Sequence, residues 1–313
     1  MNSSRIRALG LGSAFTAMEG DLGSLSYNPA TFNLYAESRK LRFSLFISPI
    51  VPLFIQNNGQ RFFGDRVVSS SKITMAALSS IFKGINVTMR AIDVGVLFGE
   101  PIFKNPALKA PSSRPHVTEL YQHQYNSLYF RLKLGEQVTL GASVHLTYDD
   151  EESGGRLSDL GANYGVMMQP NKYLRVGVSL LVDPEKIRNY RLFLEEFKSD
   201  AVNLGVTFLA PWRMQMNLDI RNAAVGPDGA REKFLTGIEK QFTHVALRCG
   251  AQYDSRESRF TYSAGVGLFD LNALFARNNK YAHAKYALNY AIIRKFFQGI
   301  VYNVHGVHLE ARI

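Results

Sequence analysis

The sequence has few of the residues that form covalent cross-links or metal centres. Its 313 residues include a single cysteine, Cys249, which excludes an internal disulfide framework and a multi-cysteine zinc or iron–sulfur site. The seven histidines are dispersed along the chain. The only close pair, His305 and His308, falls on opposite faces of a predicted strand and is a poor metal pair. We therefore expect no metal site and no cofactor.

Long apolar runs and a secretory leader are also missing. No stretch reaches the roughly 18 uncharged apolar residues of a membrane-spanning helix, and the best candidate, residues 46–55, is broken by Pro49 and Pro52. No apolar region follows the polar first residues, so we expect the chain to start at or near a mature N-terminus. The 36 basic and 26 acidic residues give a net charge of +10. Because the basic residues are spread along the chain, nucleic acid is not an expected partner.

Apolar and polar residues alternate with a period of two along most of the chain, which predicts β-strands. In residues 137–148, for example, Val138, Leu140 and Val144 share one face, and Thr139 and Ser143 share the other. Similar runs cover 174–182, 212–221, 245–253, 260–268 and 307–313. Each run has about ten residues, the length that a tilted strand needs to cross a bilayer.

The connections between these runs also suggest a barrel. Short ones, such as 135–136 and 242–243, alternate with longer ones, such as 183–198 and 294–299. We therefore predict an all-β fold, a transmembrane antiparallel β-barrel of about fourteen strands. A soluble β-sandwich or a lipocalin-like protein would also alternate. The sequence shows no break in composition that would mark a second domain, and aromatic residues gather near the strand ends, which favours the barrel.

Residues 4–34 do not alternate. Gly10 and Gly12 allow two backbones to approach closely. Asn28 followed by Pro29 is a typical helix start, and we expect a short helix from Pro29 to about Leu34. We interpret residues 1–36 as an N-terminal plug or hatch inside the lumen and residues 37–313 as the barrel. An ordinary loop with a capped helix is the alternative.

This N-terminal segment resembles the opening of mature FadL/PorV-type outer-membrane proteins. Residues 7–17 are similar to the family's Gly-x-Gly-Gly-Ala-Phe-x-Ala stretch, with Ser13 in place of the second of its two adjacent glycines, and residues 27–30 contain its Asn-Pro-Ala motif. The resemblance implies a fourteen-stranded barrel in the bacterial outer membrane, with a luminal hatch and no enzymatic activity. The plug or gate residues would be Gly10, Gly12, Phe15, Asn28, Pro29 and Ala30.

Two functions follow from the resemblance. One is the binding or passage of hydrophobic small molecules such as long-chain fatty acids. The alternative is a PorV-like accessory role in type IX secretion, in which the barrel binds protein partners. The expected partners are therefore outer-membrane lipid or lipopolysaccharide, a hydrophobic small-molecule ligand and, for the alternative, a secretion-system protein.

Arginines recur on the polar faces of the predicted strands, and they would point into the lumen if the apolar faces contact lipid. They could pair with acidic residues on the same faces, such as Asp93, Asp219 and Glu239. They could instead attract a carboxylate-bearing amphiphile. The candidate ligand-binding residues are Arg42, Arg131, Arg175, Arg248 and Arg259.

Other segments give further expectations. Residues 71–83 look helical, with Gly84 as a stop, and residues 186–198 carry an apolar helical stripe. The acidic run 149–152 is interpreted as a solvated loop, with weak calcium binding as the alternative. Glycines within strands could permit kinks or could relieve crowding beside large luminal side chains; they are Gly95, Gly165 and Gly205.

Overall fold

Fourteen antiparallel strands form one closed barrel, in which each strand pairs with its sequence neighbours and the first strand pairs with the last. This computed structural model describes residues 5–20, 22–32, 41–48, 52, 69–101, 124–135, 137–150, 156–182, 201–224, 232–255, 258–269, 286–297 and 300–312. The predicted fold class and strand number are confirmed. Among the described residues, no helix is long and apolar enough to cross a membrane.

The strands follow one another around the barrel in chain order. They are β1 (Arg42–Ile47), β2 (Phe82–Thr88), β3 (Ile92–Pro101), β4 (Gln124–Leu134), β5 (Val138–Asp150), β6 (Arg156–Asn171), β7 (Leu174–Val182), β8 (Ala201–Ala210), β9 (Met214–Ala224), β10 (Lys233–Gln241), β11 (Val245–Asp254), β12 (Arg259–Phe269), β13 (Tyr286–Phe297) and β14 (Ile300–Arg312).

The distribution of side chains is the reverse of that in a soluble protein. On β5, Leu140 and Val144 are exposed on the outside, whereas Thr139 and Ser143 are buried on the inside. The same alternation recurs on the other long strands, where exposed leucines, phenylalanines and valines face outward. An outer surface of this kind is stable only against hydrocarbon. The alternative of two stacked sheets around an apolar core is therefore wrong.

Most connections differ in length between the two rims of the barrel; the exceptions are residues 270–285 between β12 and β13 and residues 298–299 between β13 and β14. On one rim, which we call the short-turn rim, β6 and β7 are joined by residues 172–173, β8 and β9 by 211–213, and β10 and β11 by 242–244. On the opposite rim, residues 102–123 and 183–200 form long connections that lie outside the described residues. The long connection predicted at residues 294–299 is wrong, because β13 continues to Phe297 and β14 begins at Ile300.

The helices are shorter than predicted. In place of a helix from Pro29 to Leu34, a single 3-10 turn covers Pro29–Thr31. The chain becomes extended at Phe32, whose ring lies 4.9 Å from that of Tyr129 and 6.4 Å from that of Phe46. Packing of this ring against the barrel wall therefore outweighs continuation of the helix.

The helix predicted at residues 71–83 covers Ser70–Ser79 instead. Gly84 does not end it but lies within β2, paired with Phe46 and Leu97 on the neighbouring strands. Strand pairing on both sides therefore takes the last residues of the predicted helix into the barrel. The predicted apolar helical stripe at residues 186–198 lies outside the described part of the chain, as do residues 151–152 of the acidic run.

Candidate functional site

The N-terminal part of the chain lies inside the barrel. We call residues 5–20 and 22–32 the luminal segment, and every one of its residues is buried. Its first helix, α1 (Ile6–Leu9), contacts β12, β13 and β14, whereas the turn Pro29–Thr31 contacts β4, β5 and β6. The segment therefore spans the lumen from one wall to the other. The predicted boundary after residue 36 falls in residues 33–40, which are not described, and a gating role stays a prediction.

Glycines on the inner wall make room for the luminal segment. A Cβ atom added to Gly250 would lie 2.7 Å from the Cα of Gly12, and one added to Gly177 would lie 2.9 Å from the Cα of Ala17. Carbon atoms that are not bonded do not approach so closely. Other inward-facing glycines whose Cβ would clash with the segment are Gly141, Gly165, Gly205, Gly237 and Gly306.

These contacts explain the glycines within the strands. Gly165 and Gly205 abut the luminal segment, and Gly95 abuts the ring of Tyr129. A register shift between β8 and β9 at Val202–Leu204 ends next to Gly205, so this glycine also lies beside a strand irregularity. The structure thus supports the relief of crowding as the role of Gly95 and Gly165.

Glu239 on β10 is the main electrostatic anchor of the luminal segment. Arg7 donates hydrogen bonds to both of its carboxylate oxygens, from Nε at 3.1 Å and from a terminal nitrogen at 3.0 Å. Arg248 donates from Nε at 2.6 Å, and Gln215 and Gln241 donate at 2.6 and 2.7 Å. The carboxylate is fully buried. Two cations and two amides therefore replace the water that this charge would otherwise need.

Asp219 on β9 provides a second anchor, this time for the backbone. One of its carboxylate oxygens accepts hydrogen bonds from the backbone N–H groups of Phe15 at 2.7 Å and Thr16 at 2.8 Å. Two residues away, Arg221 donates to the backbone carbonyl of Ser13 at 2.7 Å. Asp219 thus binds the luminal backbone directly, in addition to its electrostatic interaction with Arg221.

Asn28 combines a local and a long-range role. Its Oδ1 atom accepts the N–H of Ala30 at 3.0 Å, which caps the 3-10 turn as the sequence predicted. Its Nδ2 atom donates to the carbonyl of Thr16 at 2.9 Å and also lies 3.2 Å from the carbonyl of Val166 and 3.3 Å from that of Val178. One side chain therefore connects the two halves of the luminal segment to β6 and β7.

The described arginines among the predicted ligand-binding residues are mostly engaged with acids. Arg131 pairs with Asp93, with Nε 2.6 Å from the carboxylate, and Arg175 pairs with Glu19 of the luminal segment at 2.7 Å. Arg248 is bound to Glu239, as described above. Arg259 is exposed at the start of β12, and the side chain of Arg42 lies outside the described part. The structure does not bring the four described side chains together into one site.

Sequence reasoning missed two charged residues of the luminal segment that bind the wall, Arg7 and Glu19. Both charges stand among small and apolar residues in a stretch without strand alternation. A charge in such surroundings is costly to bury unless a partner meets it, and this was the available signal. Among the described residues, no group of three histidine, cysteine, aspartate or glutamate side chains could hold a metal ion.

An apolar pocket of about 690 Å³ lies on the outer face of the wall. Outward-facing side chains of β7 to β12 line it, among them Phe208, Leu218, Phe234, Thr236, Ala251 and Phe260. Directly behind its floor is the luminal segment: a Cβ atom added to Gly12 would lie 2.8 Å from the carbonyl oxygen of Thr236 and 2.7 Å from the backbone nitrogen of Ala251. At this place a single layer of backbone separates the pocket from the luminal segment.

Comparisons with known proteins agree with this architecture. No family model and no curated protein sequence matches the chain. A solved structure of a TodX deltaS2S3 mutant, a monoaromatic hydrocarbon channel, matches 100% of this chain and 98% of its own length, with 11% identity and a TM-score of 0.50. The chain has the fold of an outer-membrane channel.

A second similar structure is a double mutant of the porin from Rh. blastica. It has 10% identity, covers 74% of this chain and 76% of its own length, and has a TM-score of 0.40. At these identities the likeness extends to the fold alone. The similarity of the N-terminus to FadL/PorV-type proteins therefore stays a resemblance.

Proposed function

We propose that this protein resides in the bacterial outer membrane and passes hydrophobic small molecules, with long-chain fatty acids as one candidate class, without covalent chemistry. The observation that carries the proposal is the apolar pocket on the lipid-facing wall, with the luminal segment directly behind its floor. A hydrophobic molecule partitions into the bilayer and can reach this pocket without crossing water. The known fold of outer-membrane channels is consistent with this role.

The luminal segment gives the proposal its gate. Because the segment spans the lumen, a molecule that crosses the barrel requires it to shift. Its contacts with the wall combine apolar packing, such as that of Phe32 against Tyr129, with polar anchors at Glu239 and Asp219. In this proposal, the anchors break and the packed surfaces separate without unfolding of the strands. At the seven wall glycines named above, the segment lies directly against the backbone of the wall with no wall side chain between them.

The charges of the lumen bear on the ligand. Arg131, Arg175 and Arg248 already pair with acids of the chain. In this proposal, apolar contact supplies the binding energy, at roughly 25 cal/mol for each Å² of buried apolar surface. A carboxylate on the ligand would add affinity only by displacing one of those acids, so the ligand-binding role of the arginines stays a prediction.

A pocket-filling substitution tests the proposal. We expect Ala251→Trp, which places a large ring over the pocket floor, to slow the transfer of a fluorescent long-chain fatty acid into vesicles that contain the full-length protein. Val144→Trp is the matched control, because Val144 faces outward on β5, outside the pocket. Equal transfer by the two variants would contradict the pocket as the site of entry.

The same preparations address the PorV-like alternative. A protein partner that stays bound through purification, together with unchanged transfer in Ala251→Trp, would favour the secretion accessory. Hydrophobic molecules retained in the purified barrel and lost in Ala251→Trp would favour the transporter. The two functions therefore differ in what purifies with the chain.

A further inference from the structure

Three consecutive hairpins of the short-turn rim share one chemical pattern. The hairpins join β6 to β7, β8 to β9 and β10 to β11, and each carries an exposed aromatic side chain with a basic residue next to it or two residues before it. The pairs are Lys172 with Tyr173, Arg213 with Trp212, and Lys240 with Phe242. We call these six residues the basic–aromatic rim.

The first hairpin holds its aromatic ring and its cation together. The Lys172 ammonium lies 4.9 Å from the centre of the Tyr173 ring, and the ring itself is about half exposed. The backbone is fixed by Asn171, whose side chain accepts the N–H of Tyr173 at 2.8 Å, and by Leu209 of the next hairpin, whose N–H donates to the carbonyl of Tyr173 at 2.7 Å. The pair therefore sits on an ordered turn that is bound to its neighbour.

The second hairpin displays its side chains through an unusual backbone. Trp212 and Arg213 both have positive φ angles, of 62° and 60°, a left-handed conformation that glycine and asparagine adopt more readily. This conformation turns the Trp212 side chain outward, where it is 79% exposed. A strained turn that presents a large amphipathic ring is a reason to look for a binding role.

The third hairpin is joined to the second. Lys240 donates a hydrogen bond from its ammonium to the backbone carbonyl of Trp212, and the same ammonium lies 5.8 Å from the centre of the Phe242 ring. None of the three cations of the rim pairs with a carboxylate among the residues that the structure describes. The rim is thus a strip of positive charge and aromatic surface across the ends of six of the fourteen strands.

This composition matches the boundary between lipid headgroups and hydrocarbon. Aromatic rings, tryptophan and tyrosine above all, concentrate at that depth, because one part of the ring is apolar and the other polar. Lysine and arginine extend from there to phosphate groups while their methylene stems stay in the apolar layer. In barrels of this fold, short turns lie at the periplasmic leaflet, which is built of phospholipids.

We infer that the basic–aromatic rim binds the phosphate of an anionic phospholipid in the periplasmic leaflet. The rings of Tyr173, Trp212 and Phe242 set the depth of the barrel, and the cations of Lys172, Arg213 and Lys240 select a negatively charged headgroup over a zwitterionic one. This site is separate from the pocket and from the luminal segment, so it stands or falls independently of the transport proposal.

Lipid retention by the purified full-length protein tests the inference. The protein in non-ionic detergent is mixed with equal amounts of phosphatidylglycerol and phosphatidylcholine, and native mass spectrometry measures the ratio of the two bound lipids. We expect the wild type to prefer phosphatidylglycerol. The double variant Lys172→Gln, Arg213→Gln should lower that preference by roughly fivefold for each cation removed. The control is Arg294→Gln, which changes an exposed arginine near the opposite rim and should leave the ratio unchanged.

Both variants change exposed side chains, so heat-dependent mobility in gel electrophoresis should show a folded barrel for each. An unchanged ratio in the rim variant, or an equal loss in the control, would overturn the inference. Displacement of the lipid by an equimolar amount of glycerol phosphate would also overturn it, because the site would then recognise a soluble phosphate and not a membrane. Retention in the presence of glycerol phosphate supports the lipid.

Discussion

Replacing Glu239 with glutamine should release the luminal segment from the barrel wall. The wild-type carboxylate accepts five hydrogen bonds, three of them from the arginines Arg7 and Arg248. A neutral amide leaves both cations buried without a counter-charge at this point. Loss of one partner of a buried ion pair costs about 3–5 kcal/mol, and we take the lower end because the glutamine keeps one acceptor oxygen.

The cost should fall on the luminal segment and not on the barrel. The β10–β11 ladder is formed by backbone groups over nine residue pairs, and the substitution does not touch them. A loss of about 3 kcal/mol raises the population of the released segment by roughly 100-fold. Hydrogen exchange followed by mass spectrometry on peptides from residues 5–20 should therefore show exchange faster by about that factor, while peptides from β10 and β11 keep their protection.

The control is Asp254→Asn, which removes a partly exposed cross-strand pair with Lys233 that measures 3.0 Å. Neither residue belongs to the luminal segment, so exchange of that segment should stay near the wild-type rate. A double-mutant cycle with Arg7→Gln should give a coupling of at least about 1.5 kcal/mol. Wild-type exchange in Glu239→Gln, or equal acceleration in Asp254→Asn, would refute the role of this carboxylate as an anchor.

Three further predictions concern the other anchors and the outer wall. Asp219→Asn should weaken two charged hydrogen bonds to the luminal backbone and cost about 1.5–3 kcal/mol, seen as faster exchange of peptides that contain residues 15–16. Gly250→Ala should force the added methyl group against Gly12 and cost about 1–3 kcal/mol, seen in the same peptides and as a lower Tm. Val144→Arg should cost about 2–4 kcal/mol on the lipid-facing wall, whereas Leu134→Arg at a strand end should cost about 0–1 kcal/mol, measured by equilibrium folding into vesicles.

Each of these predictions has an outcome that contradicts it. Unaltered exchange in Asp219→Asn would mean that the luminal backbone is held by other contacts. A Gly250→Ala variant as stable as the wild type would show that the segment does not press on the wall at this glycine. Equal costs for the two arginine substitutions on the outer wall would be incompatible with a membrane in which Val144 lies deep in the hydrocarbon and Leu134 lies near its edge.

The strands and their two faces followed from local patterns in the sequence. A period of two decides which residues share a face whatever the partner strand is, so the assignment of Val144 to the outside and of Ser143 to the inside needed no tertiary information. The cap at Asn28 was also local, because its side chain binds an N–H group two residues further on. Helix ends were less accurate: β2 begins at Phe82 and the chain becomes extended at Phe32, in both cases because of contacts with distant strands.

The binding of the luminal segment was not accessible in this way. Arg7 and Glu239 are 232 residues apart, and no periodicity relates residues that meet only when a barrel closes. Which strands become neighbours decides three features: the acidic partner of each luminal arginine, the binding of the Phe15 backbone by Asp219, and the pocket on the outer wall. The sequence determined an apolar exterior, a polar interior and a non-strand N-terminus, because these are properties of short windows of the chain. Only the closed barrel decided what the N-terminus touches, because those contacts are set by the shape of the enclosed space.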